Sequence, residues 1–378
     1  MSRFLFRSGA ALSVVALLLL GVAPAFADGV DVSGSVRVRT EMSDRSFVAD
    51  TDAAWATWQR TRVALSAEGA GGTTAYVQFQ DSRVWGNEGS TLTDNSMVDV
   101  HQAWVHADDF MVDGLGMTVG RMEMAYGNQR VIGPVGWSNV GRAFDGVKTS
   151  WGMANGWWDA FVLREDAATG RNVWGTVMHF DASENLSIEP LALMQRWDDG
   201  ADKASLTSIG DYATFSSGAI SVEQNFVYQT GDDVSGWLFA ADASYDVSGD
   251  GNMGVSGGAS IYTGDDAATA ENEAYTELYP TGHKFHGYMD LANTMTGGLG
   301  LKDFHGGGWF SMPSGAKLTG TFHNFSDQVN GDAIGNEIDV VWSHKMAGMG
   351  VKVGGGMFMH DTMDEDATWG FVQANCPF

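Results

Sequence analysis

The sequence predicts an all-β protein: a transmembrane antiparallel β-barrel of about 18 strands, with about 16 or 20 strands as the alternatives. Three observations predict this fold class. The 378 residues include 50 Gly, 14 Trp, 9 Tyr and 20 Phe but only 6 Pro, and this composition is typical of β-structure. Polar and apolar residues alternate in many segments, and short and long connections alternate along the chain.

The N-terminal segment has the features of a secretory signal peptide. Arg3 and Arg7 precede the apolar run ALSVVALLLLGVA, and the small residues of APAFA come just before Asp28. We therefore expect residues 1–27 to be a cleaved signal peptide and residues 28–378 to form one barrel domain. No later segment approaches the length of about 20 apolar residues that a membrane-spanning helix needs.

Two pairs of arginines lie on one face of early strands. In VDVSGSVRVRT the valines share one face, whereas Arg37 and Arg39 lie on the other. Arg60 and Arg62 are likewise two residues apart, opposite Leu65. Because an arginine facing lipid at mid-depth costs about 2–4 kcal/mol, these four side chains are predicted to line the lumen. The alternative is that they form a solvated face or pair with carboxylates.

The spacing of the strands predicts a barrel with both termini at one end. Candidate strands lie near 30–41, 55–68, 73–83, 98–107, 115–125, 144–151, 156–164, 171–180, 185–196, 204–214, 219–229, 236–246, 252–262, 301–312, 316–326, 334–345, 350–360 and 367–378. Every second connection is short, such as GAGG or FSSG, whereas 42–54, 84–97, 126–143 and 263–300 are long. Short periplasmic turns opposite long external loops are typical of bacterial outer-membrane barrels. A closed barrel also leaves no unpaired strand edge in the lipid.

Several function classes are disfavoured by the composition. The net charge of −26 argues against a nucleic-acid partner. Cys376 is the sole cysteine, so an intrachain disulfide is excluded. His283 and His286 have no clear third ligand, and no serine stands in a recognisable nucleophile context. We therefore predict neither an enzyme nor a bound metal or cofactor.

One long segment resembles a known family. GRMEMAYGNQRVIGPVGWSNVGRAFDGVK, which begins at Gly120, is similar to the signature segment of the alginate-export family of outer-membrane channels. YPTGHKFHGYMDL, residues 279–291, resembles a second family segment, and QRTRVAL and FQDSRVWG resemble early strands. The resemblance implies an eighteen-stranded barrel in the outer membrane of a Gram-negative bacterium. It also implies an arginine-lined lumen that passes acidic polysaccharide outward.

The resemblance extends the candidate pathway beyond the four early arginines. The added residues are Asp81, Arg83, Arg121, Glu123, Tyr126, Gln129, Arg130, Arg142, Asp145 and Lys148. A series of cations with interspersed carboxylates would let a uronate move between sites without being trapped. Arg121 shares its strand face with Met117 and Val119, so an inward Arg121 requires a bulge near Gly120.

The sequence thus predicts a passive channel for anionic solutes or for an acidic, alginate-like polysaccharide. The alternatives are a general diffusion porin without glycan specificity and a plugged barrel with a structural or adhesive role. The expected partners are the anionic solute or polysaccharide, outer-membrane lipid and lipopolysaccharide. We expect a monomer.

Overall fold

The computed structural model describes residues 29–48, 52–88, 90–91, 98–167, 170–198, 203–232 and 234–378. The predicted signal peptide lies outside the described residues. Within these ranges, no helix is long and apolar enough to cross a membrane. Strands in the described ranges are Val30–Asp44 (β1), Ala54–Gly69 (β2), Thr73–Val84 (β3), Asp99–Ala107 (β4), Leu115–Met122 (β5), Phe144–Met153 (β6), Gly156–Asp166 (β7), Arg171–Ser183 (β8), Leu186–Asp198 (β9), Lys203–Ser217 (β10), Ile220–Gly231 (β11), Val234–Asp246 (β12), Met253–Tyr262 (β13), Leu301–Ser311 (β14), Lys317–Asp327 (β15), Ala333–Met346 (β16), Met349–His360 (β17) and Ala367–Pro377 (β18).

The strands form one closed antiparallel barrel. Each strand pairs with its sequence neighbours, and β1 also pairs with β18. At the seam, Gly34 and Phe378 exchange two backbone hydrogen bonds of 2.8 and 3.0 Å. The next pair, Ser35 and Pro377, is therefore a non-bonded pair, where the proline needs no N–H. Closure gives every strand two partners, as the sequence predicts.

The predicted strand order and number are confirmed. The boundaries differ by at most three residues, mostly because strands extend further toward the long loops. The strand predicted over 115–125 is the exception, because β5 ends at Met122. The chain leaves the barrel wall at Glu123 and enters the lumen instead of continuing the strand.

Apolar and polar side chains alternate between the two faces of the barrel. The outer face exposes large apolar residues such as Val105, Trp174 and Phe304. The inner face carries buried polar groups, including Gln229 and Asp303. An apolar outer band around a polar interior is the arrangement that a barrel needs in a bilayer.

Two long connections fold back into the barrel. We call residues 123–143 the first inserted loop and residues 263–300 the second inserted loop. The second contains a 3₁₀ turn, Gly282–Lys284, and one helical turn, Ala292–Met295 (α1). The loops pair with each other through a parallel bridge between Ile132 and Tyr279. Together they occupy part of the lumen.

Candidate transport pathway

Arginines of β1 and β2 hold the first inserted loop against the barrel wall. Arg37 donates to the carbonyl oxygens of Gly136 and Ser138, each over 2.8 Å. Arg39 donates to the Trp137 carbonyl over 2.7 Å, and its guanidinium lies 3.8 Å from the Trp137 ring centroid. Arg60 donates to the same carbonyls of Gly136 and Ser138 over 3.2 and 3.0 Å. These arginines face inward, and much of their hydrogen-bonding capacity is used to position the loop.

Arg62 joins the start of the same loop to three strands. Its Nη1 lies 3.0 Å from Glu123 Oε1, and its Nε donates to the Gln80 side chain over 2.7 Å. The His101 Nε2 atom lies 2.8 Å from the same Glu123 oxygen. Arg62 also donates to the carbonyl of Val140 over 3.3 Å. The Glu123 carboxylate is thus neutralised locally and fixes the point where the chain leaves the wall.

Tyr126 and Lys148 meet at one carboxylate on the inner face of β7. The Tyr126 hydroxyl donates to Asp159 over 2.8 Å, and the Lys148 amine lies 3.4 Å from the same carboxylate oxygen. The Tyr126 ring stacks on Phe161 with centroids 5.7 Å apart. Burial, with the neighbouring Asp159 charge, raises the pKa of Tyr126 well above its ordinary range. The hydroxyl therefore remains a donor.

Gln129 and Arg142 join the two inserted loops. The Gln129 carbonyl accepts a hydrogen bond from the Thr281 backbone N–H over 3.0 Å. One nitrogen of Arg142 donates to the carbonyls of Gly133 and Pro280 over 3.1 and 3.0 Å. Burial lowers the pKa of Arg142 from its ordinary value. The two loops therefore form one hydrogen-bonded unit in the lumen.

Arg130 is a buried part of the same unit. Its Nη1 donates to the Tyr262 hydroxyl, its guanidinium lies 4.0 Å from the Phe285 ring centroid, and its Nη2 lies 3.8 Å from Asp242. The buried guanidinium thus connects the first inserted loop with β12, β13 and the second inserted loop. Its contacts support a structural role as well as a place beside the pathway.

Arg121 and Asp145 lie on the outer face, so their assignment to the pathway is wrong. The pairing of β5 with β6 runs through Arg121 and Asp145 without a register shift, so the required bulge near Gly120 is absent. Arg121 keeps the outward orientation of Val119, and its Nη1 lies 3.1 Å from Asp145 Oδ2. The two-residue period of the strands therefore sets the orientation of these side chains, and the resemblance to the family segment does not predict it.

Asp81 and Arg83 are corrected in the same way. They lie on the same strand face as Phe79, which is 39% exposed on the outer face. Ser82 lies on the opposite face, and its hydroxyl donates to the Asn139 carbonyl of the first inserted loop. Arg83 Nε lies 2.7 Å from Asp81 Oδ2. The pair therefore neutralises itself near the outer rim and does not reach the lumen.

The inserted loops leave two inner cavities. The first, about 790 Å³, lies between the loops and the wall from β11 round to β1. The second, about 690 Å³, lies at the end with the short turns. Arg37, Lys352 and Gln373 line both cavities, so the two spaces meet there. We call them the loop-side cavity and the turn-side cavity.

The charged lining of these cavities includes lysines that were not predicted. Lys284 lines the loop-side cavity, Lys345 lines the turn-side cavity and Lys352 lines both. Lys352 lies between Val351 and Val353 in the sequence, and Val353 is exposed on the outer face, so Lys352 faces the lumen. The same alternation that identified the early arginines could have placed Lys352 in the lumen. Lys284 lies in a loop, where no such period exists.

The family assignment follows from a match over most of the chain. The model of the alginate-export family matches residues 29–355. The chain belongs to this family. No curated protein sequence matches it. The family is described by alginate export, and the closed barrel with an apolar outer face and a polar interior fits a channel of the outer membrane. The barrel is therefore an outer-membrane channel.

Solved structures share the architecture of this barrel. OccK8 (OprE) of Pseudomonas aeruginosa is 10% identical, with a TM-score of 0.66 over 94% of this chain and 99% of that chain. OccK11 (OpdR) of the same organism is 10% identical, with a TM-score of 0.65 over 94% and 97% of the two chains. OccAB4 of Acinetobacter baumannii is 11% identical, with a TM-score of 0.64 over 94% and 100%. At these identities the likeness shows the fold alone.

Proposed function

We propose that this channel passively passes anionic solutes, including an acidic, alginate-like polysaccharide strand. The lining of the turn-side cavity carries the proposal. Arg37, Arg60, Lys345 and Lys352 line it, and no carboxylate from the described residues does. This local excess of positive charge occurs in a chain whose net charge is −26. In a narrow, low-dielectric lumen, such a lining raises the local concentration of anions.

The loop-side cavity has charges of both signs. Arg130 and Lys284 lie beside Glu223 and Asp242 in its lining. A uronate moving through this space would meet cations that attract it and carboxylates that limit how tightly it is held. Interspersed sites of this kind favour exchange over trapping. This supports passage of an extended acidic strand as well as of single anions.

Polyuronate block distinguishes this function from a general diffusion porin. The purified full chain is reconstituted in planar bilayers, and polyuronate or a neutral glycan of equal length is added to one side. We expect the polyuronate to reduce the current at a clearly lower concentration, because the cationic lining binds it. Equal block by the two glycans would favour the porin without glycan specificity.

We further propose the setting in which the channel acts. Residues 1–27 serve as a signal peptide for export, and the barrel works as a monomer. Its apolar outer band contacts outer-membrane lipid and lipopolysaccharide. The exposed Val105, Trp174 and Phe304 on that band support the lipid contact.

A further inference from the structure

We propose that the lumen holds a divalent transition-metal ion at Asp303, His305 and His323. The three residues lie on the inner face of β14 and β15, and their ligand-type atoms all fall within 4.8 Å of one another. His305 Nδ1 lies 3.2 Å from Asp303 Oδ2, and His323 Nδ1 lies 3.0 Å from both Asp303 oxygens. Ligand atoms around one tetrahedral ion with bonds of about 2.0 Å are separated by roughly these distances.

The burial of Asp303 requires a positive charge beside it. The side chain is 0% exposed, and in the described part of the chain its only ion-pair partners are these two histidines. A buried carboxylate is stable only when it is paired or coordinates a metal. One divalent ion would satisfy the carboxylate and both ring nitrogens at once.

The surroundings of His305 match those of a metal ligand. Its second nitrogen, Nε2, contacts Asp242 Oδ1. A carboxylate on the far nitrogen fixes the orientation and tautomer of a ligating histidine and increases its basicity. Both His305 and His323 line the loop-side cavity, so an ion here would keep a coordination position open to the lumen. Two imidazoles and one carboxylate suit zinc and neighbouring first-row metals, and not magnesium or calcium.

Metal titration of the purified full-length protein tests the site. After treatment with a chelator, Co²⁺ is added, and the visible absorption of the bound ion and its stoichiometry are measured. We expect one tightly bound ion in the wild type and at least a tenfold loss of affinity in Asp303→Asn and His323→Ala. The matched control is His179→Ala, because His179 also lies between two lumen carboxylates, at 2.9 Å from Glu189 and 3.2 Å from Asp181.

The outcomes separate the site from adventitious binding. The site is supported if the control binds like the wild type while the two site variants lose the ion and keep the heat-modifiable gel mobility of a folded barrel. Binding that is absent in the wild type, or equally strong in folded Asp303→Asn, would overturn it. A current block by Co²⁺ that disappears in His323→Ala gives a second readout in the same bilayers.

On the outer face we infer a binding surface for the phosphates of lipopolysaccharide, an inference that rests on the proposed outer-membrane setting. Strand pairing places five polar residues in one continuous row across β5–β9 at the end with the long loops. Three are arginines and one is a carboxylate, and we call them the outer arginine row: Arg121, Asp145, Arg164, Asn172 and Arg196.

An apolar row lies directly beneath the outer arginine row. Each of its residues lies on the same strand as one member of the outer arginine row, two positions further from the long loops. Neighbouring strands pair these residues directly: Val119, Val147, Val162, Trp174 and Met194. All except Val119 are large apolar residues that are clearly exposed. The outer arginine row therefore borders this apolar surface on its loop side, where we expect lipid headgroups. Guanidiniums bind phosphate through paired hydrogen bonds, and basic clusters at this depth recognise anionic headgroups.

Lipid binding to the full chain in nanodiscs tests the outer arginine row. Bisphosphorylated lipid A is counted on the protein by native mass spectrometry, beside its dephosphorylated form. We expect Arg121→Gln/Arg164→Gln/Arg196→Gln to retain several times less phosphorylated lipid A, with little change for the dephosphorylated form. Arg171→Gln is the control, because Arg171 sits at the same end of β8 but pairs inward with Glu165 at 3.1 Å. Unchanged retention in the triple variant, or equal displacement by phosphatidylglycerol, would overturn the assignment.

Discussion

Lys352→Glu will shift the reversal potential of the channel in a KCl gradient strongly toward cation preference. Lys352 lines both cavities at the point where they meet, beside Arg37. Its side chain is exposed, and among the described residues no carboxylate lines the turn-side cavity. The substitution changes the charge by two elementary units where the low-dielectric wall focuses the field. Recordings in planar bilayers measure the effect directly.

A lysine on the outer face provides the matched control. Lys302 lies two residues before the exposed Phe304 on β14, so both side chains point outward. Lys302→Glu therefore makes the same charge change outside the lumen. We expect this control to keep the wild-type selectivity and Lys352→Gln to fall between the wild type and Lys352→Glu. If both glutamate variants shift the reversal potential equally, the lining of the lumen does not set selectivity.

Removal of the second inserted loop will increase the single-channel conductance severalfold. The loop fills lumen space with buried side chains, among them Tyr279, Phe285 and Met289. The deletion of residues 265–299 joins ends that already lie side by side, because a Cβ added to Gly300 would clash with the backbone nitrogen of Gly264. The barrel strands are untouched, so the change should open the pore without loss of the wall. Single-channel recording measures the gain.

A deletion at the same end of the barrel controls for this experiment. Residues 361–366 connect β17 to β18 and are exposed, so their replacement by a short glycine turn should leave the conductance near that of the wild type. Heat-modifiable gel mobility reports whether each variant folds. An unchanged conductance in a folded 265–299 deletion would show that the second inserted loop does not restrict the pathway.

Alternation was enough to predict the barrel wall. The period places Arg37 and Arg39 inside because valines occupy the opposite face, and in the structure both are buried against the first inserted loop. It also placed Arg121 outside, beside Val119, but the family resemblance suggested a lumen role. The lipid penalty that argued against an outward arginine holds at mid-depth and falls to about 0–1 kcal/mol near the interface. Arg121 is the second-last residue of β5, at the long-loop end of the wall, so we expect its outward position to cost little.

The inserted loops could not be predicted from the period, because their positions depend on contacts between distant segments. Arg142 reaches Pro280, and Arg37 reaches Ser138, across spans of 138 and 101 residues. No local propensity encodes such contacts, and the loop segments have no regular alternation. The sequence therefore indicated that these arginines face inward. It did not indicate that carbonyl oxygens of the first inserted loop accept their hydrogen bonds. The lumen site at Asp303 and His323 was missed for a related reason, since its members come from two strands.

The reversal potential of the wild-type channel in a KCl gradient tests the central claim most directly. The proposed function requires the cationic lining of the turn-side cavity to govern passage, although the chain as a whole has a net charge of −26. It predicts a clear preference for chloride over potassium that weakens as the salt concentration rises, because salt screens the lining charges. A preference for potassium would contradict it.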